Sequence, residues 1–147
     1  MSTDGLPRRM PTSASNQRGQ SLTETAIFIT MLMLLLAGVI DLGRAYYTYL
    51  SLKDAAAEGA AYGSIEPGDL TGIDARVRGE SPAGLIDWTG ATVTTTFPGG
   101  AACRGYGVRV EVMITYNFLT PFIGAIAGSQ SIPLRANVVN TILSPPC

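Results

Sequence analysis

The sequence predicts an α+β protein: a long N-terminal helix with a membrane-spanning first half, packed on a small antiparallel β-sheet. Three observations carry this expectation. An apolar run from Ala26 to Ile40 follows a basic leader, a proline-free helical pattern continues from it to Tyr62 and Gly63, and beyond residue 90 the hydrophobicity alternates with period two.

The leader comes first. Residues 1–18 are rich in Ser, Thr, Pro and Arg without apolar periodicity, a composition that does not bury enough surface to fold. Arg8, Arg9 and Arg18 outweigh Asp4, so the positive-inside bias puts this end in the cytoplasm and the chain from Asp41 onward outside. From Leu22 to Ile40 a helix rising ~1.5 Å per residue covers roughly 28 Å, close to the ~30 Å hydrocarbon thickness. A secretory signal peptide is the rival reading, but Val39-Ile40-Asp41-Leu42-Gly43-Arg44 lacks a small-x-small cleavage site and the helical pattern runs past it. Arg8-Arg9 is followed by Met-Pro and not by an apolar core, which weakens a twin-arginine signal.

Asp41 to Tyr47 changes abruptly from apolar to amphipathic, the pattern of a membrane exit. Tyr46, Tyr47 and Tyr49 suit the headgroup zone, where a ring meets lipid and a hydroxyl meets water. Asp41 and Arg44 stand three apart on one helical face, and we expect a local salt bridge of little energetic worth. The stretch Leu50–Gly63 is rich in Ala, the best helix former, and closes on Gly, so the helix is expected from about Leu22 to Tyr62. Its small residues Ala56 and Ala60, Gly59 and Gly63 let another backbone approach. They either seat the helix on its own sheet or pack against another subunit.

The outer region, 64–147, begins as a connecting loop with a short helix around Leu70–Val77; its carboxylates Asp69, Asp74, Glu80 and Asp87 are expected to be solvated. Strands follow. Val93, Thr95 and Phe97 share one face; Val108, Val110, Val112, Ile114 and Tyr116 share another; Ile132, Leu134, Ala136, Val138 and Ile142 form a third. Three strands with one apolar face need a cover, which the C-terminal half of the long helix supplies. Between the second and third strands, Asn117–Gly128 is mostly apolar and too short for a second span. We expect it to pack over the sheet, the alternative being a patch that touches membrane or a neighbouring subunit.

Two cysteines occur, Cys103 in the turn between strands and Cys147 at the end of the sequence. A disulfide is allowed outside the membrane, and the third strand returns the tail towards that turn. With no histidine and two separated cysteines a metal site is not expected, and no cofactor is implied. Nothing supplies a catalytic constellation: Lys53 is the sole lysine, and the glycines form no phosphate loop after a strand. The formal net charge is −1 and no basic stripe exists, which disfavours nucleic acid. The chain reads as a non-enzyme that works by association.

Two resemblances sharpen this. Gly19, followed five residues later by Glu24, is similar to the cleavage site of type IV prepilin-like proteins, where a membrane peptidase cuts after the glycine. That resemblance implies a leader 1–19 that is removed, Gln20 as the new N-terminus, and an apolar helix, 20–63 with its span at about 22–40, as the assembly domain. Loss of three arginines and one aspartate would shift the net charge from −1 to about −3. Glu24 has a bland role as partner of the helix macrodipole. Its sharper role is to pair with the freed amino terminus of a neighbouring subunit and set its register, because a charge facing lipid costs ~2–4 kcal/mol unpartnered.

Gly19-x-Ser21-Leu22-x-Glu24-x-Ala26, Gly38–Tyr47 and Asp54–Tyr62 together resemble the TadE-like family, the minor pilins or pseudopilins of tight-adherence (Flp) pili. The chain departs from that family's pattern at Thr25, where Phe is common, and at Ala56 to Ala61, where the family's two arginines are missing. The resemblance implies other pilin subunits or pseudopilins, prepilin peptidase, inner-membrane pilus platform proteins and the lipid bilayer as partners. It also implies an inner-membrane or surface-pilus location, and pilus assembly and adherence as the function. An unprocessed single-pass anchor presenting an extracytoplasmic binding module is the alternative.

Overall fold

The computed structural model describes residues 16–79, 86–144 and 146, with side chains from residue 19 onward. Helix α1, Asn16–Ile65, is followed by α2, Leu70–Gly79, a single 3-10 turn at Trp88–Gly90, and strand β1, Thr92–Thr96. Strand β2, Gly107–Asn117, helix α3, Pro121–Ala127, and strand β3, Ser131–Thr141, complete the order. The α+β expectation holds. So does the antiparallel sheet, in the order β1-β2-β3.

Helix α1 is longer than expected at both ends. It already runs through Gly19, because the stretch from Asn16 holds no proline and each peptide continues the hydrogen-bond ladder. It ends past Tyr62 because Ser64 turns its hydroxyl back onto the Ala61 carbonyl (2.7 Å) while its own carbonyl accepts from Leu143 N (2.7 Å). The tail after β3 thus ties off the helix.

By its contacts the chain divides into two compact units, with the boundary inside α1 between Leu36 and Ala37. In the first, every residue from Gly19 to Leu36 is exposed. The second holds the core. Leu52, Ala55, Ala56 and Ala60 of α1 and Ile73 and Val77 of α2 form one core with Val108, Val110, Val112 and Ile114 of β2 and with Ile86, Ala136 and Ile142.

The alternation read from the sequence is the alternation of the sheet. All five odd-one-out apolar positions of β2, Val108 to Tyr116, are buried, while Arg109, Thr115 and Asn117 are exposed. Register fixes the ends: Gly107 pairs with Thr141 and Asn117 with Ser131. Gly105 N donates to the Ile142 carbonyl (2.9 Å), so the tail does return to the β1–β2 connection that holds Cys103. Cys103 is not a free thiol, whereas Cys147, and with it the expected pairing, lies outside the described residues.

Candidate functional site

Two places on α1 bear the residues that the sequence singled out. The first is the helix mouth. Gln20 Nε2 donates to Glu24 Oε1 at 3.2 Å, one turn on, and both residues are exposed. Around Gly19 an added Cβ would meet nothing within 4 Å. The neighbouring hydroxyls turn inward to their own helix: Thr23 donates to the Gly19 carbonyl (3.1 Å), Thr25 to Ser21 (2.9 Å) and Thr30 to Ala26 (2.8 Å). Satisfied this way, polar residues sit in an apolar rod without needing water. Glu24 is the one acid of this apolar stretch, and the described residues supply it no cation. Arg18 and the rest of the leader lie outside the described side chains.

The second place is the end of the apolar run. Asp41 is 0% exposed, and its carboxylate is met by the loop that leads from β2 into α3. Leu119 N donates to Oδ1 (3.0 Å), while Thr120 N (3.0 Å) and the Thr120 hydroxyl (2.5 Å) donate to Oδ2. The Tyr116 hydroxyl donates to the Asp41 backbone carbonyl at 3.2 Å. The expected ion pair with Arg44 exists but only at 4.0 Å, with half of the arginine side chain in the open. That leaves it the minor partner its exposure implies.

Sequence reasoning named Asp41 but missed its role, since its partners stand 75 to 79 residues away along the chain. A signal was present: Thr120-Pro121 begins a helix with proline in its first turn, and that helix has no side-chain cap of its own. The amides of the two residues just before it, Leu119 and Thr120, take the distant Asp41.

The apolar loop also departs from expectation. Phe118, which meets the Tyr116 ring edge-on, Thr120, Ile123 and Gly124 are at least half-buried, but Leu119, Phe122 and Ile126 are 65%, 45% and 71% exposed. The Asp41 bonds draw the loop to α1 near Gly38, where an added Cβ would come within 3.3 Å of Ile123 Cδ1, and so away from the sheet face it was expected to cover. Tyr46, Tyr47 and Tyr49 are exposed.

The small residues resolve in favour of intrachain packing. A Cβ at Gly59 would strike Val77, and one at Gly63 would lie 3.0 Å from Ile73 and 3.1 Å from Val108. Ala56 and Ala60 are fully buried. The loop carboxylates are in contact with solvent, yet each described one is also held. Asp69 accepts from Gly72 N and the Tyr62 hydroxyl, contacts that hold its carboxyl below the usual range in that order of weight. Asp87 accepts from Thr89 N, and hydrogen bonds from Thr89 lower it likewise. Asp74 pairs with Arg78 at 2.8 Å; Glu80 lies outside the described residues.

Taken together, the geometry offers an exposed apolar helix whose one acid near its start has no ion pair among the described residues, and an outer fold that fills the Asp41 carboxylate from within. Among the described residues no three His, Cys, Asp or Glu side chains gather as a metal site would require. Helix α1 is long and apolar enough to cross a membrane, and the apolar stretch is almost wholly uncovered by the protein itself.

Residues 19–61 match the family model of TadE-like proteins. The TadE-like segment begins at Gly19 and ends four residues before α1 does, so it takes in the helix mouth, the apolar run, Asp41 and, of the small residues, Ala56, Gly59 and Ala60. It ties this helix to pilus-related proteins and is compatible with a single-pass membrane anchor. The sheet lies beyond it. No curated protein and no solved structure matches the chain.

Proposed function

We propose that the chain is a minor pilin or pseudopilin of a tight-adherence pilus, held in the inner membrane by α1 and assembled through that helix, with its outer domain extracytoplasmic. The observation that carries this reading is the TadE-like segment's exposure: a run from Gly19 to Leu36 that the described residues leave entirely uncovered, with no ion pair to Glu24 among them. Apolar surface of that extent is stable only against lipid or another helix. In this reading prepilin peptidase cuts between Gly19 and Gln20, and the new amino group, or that of a neighbouring subunit, neutralises Glu24. Pilin subunits and the platform proteins of the pilus are the partners, and assembly in support of surface adherence is the role.

N-terminal sequencing of protein taken from membranes tests it directly. A start at Gln20 is expected; an intact Met1 would favour the second reading, an unprocessed anchor that presents the outer domain to a ligand. Glu24→Ala is expected to insert normally and to fail in assembly, read as its loss from sheared fibres or from cross-linked pilin complexes. Unchanged incorporation would remove the register role.

A further inference from the structure

We propose that the turn and short helix from Phe118 to Ala127 form a second, shallow membrane contact, a lipid-facing shoulder beside the exit of the span; this rests on the membrane reading of α1. Four observations converge on lipid as the occupant. The segment is apolar and no charged residue occurs from Val112 through Leu134, the longest uncharged stretch of the outer domain. Leu119, Phe122 and Ile126 point into the open rather than into the core. The segment is fixed at one level of α1, because Ile123 lies against Gly38 and the loop amides bind Asp41, the residues that bracket the last turn of the proposed span. Its surface therefore continues the apolar surface of α1 itself at Val39, Ile40 and Leu42, all exposed.

The arrangement also explains why an aspartate is tolerated at that level. A carboxylate beside hydrocarbon is costly unless its lone pairs are filled. Here the shoulder fills them with two amide donors and a hydroxyl, and seals the group from its surroundings so that it is 0% exposed. Charge and shoulder depend on one another: Asp41 anchors the loop, and the loop lets Asp41 stand at the interface. Elements of this kind rest with their apolar side ~5–10 Å into the headgroup and acyl boundary.

The test uses the full chain in nanodiscs that hold one copy each, with tryptophan as depth probe. The single native Trp88 is first replaced by Phe, which sacrifices no hydrogen bond because Trp88 Nε1 is buried without a partner. Into that background go Phe122→Trp at the shoulder, Leu32→Trp in the span and Val139→Trp on the exposed face of β3. The expected result is blue-shifted Phe122→Trp emission that is quenched by lipids brominated near the headgroup more than by lipids brominated deep in the acyl chain. Leu32→Trp should show the reverse order and Val139→Trp no quenching. If Leu32→Trp is quenched while Phe122→Trp emits as in water, the shoulder is not a lipid contact and the proposal falls. If neither is quenched, the span reading falls and takes the shoulder with it.

Discussion

Two carboxylates on the same helix, Glu24 and Asp41, meet opposite fates. Asp41 is sealed from solvent and receives three donors from the loop before α3. Glu24 stands exposed with a single glutamine one turn away. The same contrast holds for the helix around them: from Gly19 to Leu36 nothing of the protein covers it, whereas from Leu52 to Ala60 its small and apolar residues are the floor of the core. Polar and apolar needs met inside the chain belong to folding; those left unmet need something outside it. The helix is therefore an internal scaffold over one stretch and left bare by its own fold over the other.

Substitutions can break that comparison. Leu52→Ala empties a fully buried site and is expected to lower the stability of the outer domain by about 2–5 kcal/mol. Leu32→Ala, at an exposed position of equal chemistry, should leave the same thermal transition unchanged in detergent. Equal effects would mean that the two stretches do not differ as described.

Glycines along α1 sharpen it further. At Gly59 an alanine Cβ strikes Val77, whose branched side chain has little freedom to yield, and a loss of about 1–3 kcal/mol is expected from overpacking. At Gly43, where nothing lies within 4 Å, the same change should raise helix stability by up to ~1 kcal/mol. A denaturant titration of each variant reads the sign directly.

A more local effect is expected at Asp41. Asp41→Ala removes the acceptor for the Leu119 and Thr120 amides, so their hydrogen exchange should accelerate while that of the β2–β3 ladder stays slow. Protection unchanged at those two amides would show that the loop is held by its apolar contacts alone.

The smallest effect is a pH dependence at the start of α2. Asp69 is lowered from the ordinary carboxylate value by the Gly72 amide and then the Tyr62 hydroxyl, so the unfolded chain takes up its proton first. Its contribution is full above the unfolded value of about 3.9 and is lost as pH falls through the lower folded one. Asp69→Asn should flatten that part of the acid-stability curve.

Much of this was legible in the residues because it is local. Period-two alternation in Val108–Tyr116 named the buried face of β2, and the proline-free apolar run named the helix. Gly59 and Gly63 announced a close approach without saying to what; the answer, Val77, Ile73 and Val108, depended on where α2 and β2 came to rest. The loop 117–128 misled because its apolarity was read as a need for the core. Its position was set instead by a hydrogen-bonded carboxylate far back in the chain.

Side-chain periodicity, glycine and proline placement and the length of an apolar run are properties of neighbouring residues, so the sequence by itself determined the helix, the strands and the faces they would bury. Which distant groups satisfy one another is decided only when the chain folds back: the Asp41 carboxylate found the Leu119 and Thr120 donors, Ser64 found Leu143, and Phe122 and Ile126 were left facing outward. Those partnerships rest on short-range hydrogen bonds between segments remote along the chain, and no local pattern names both partners.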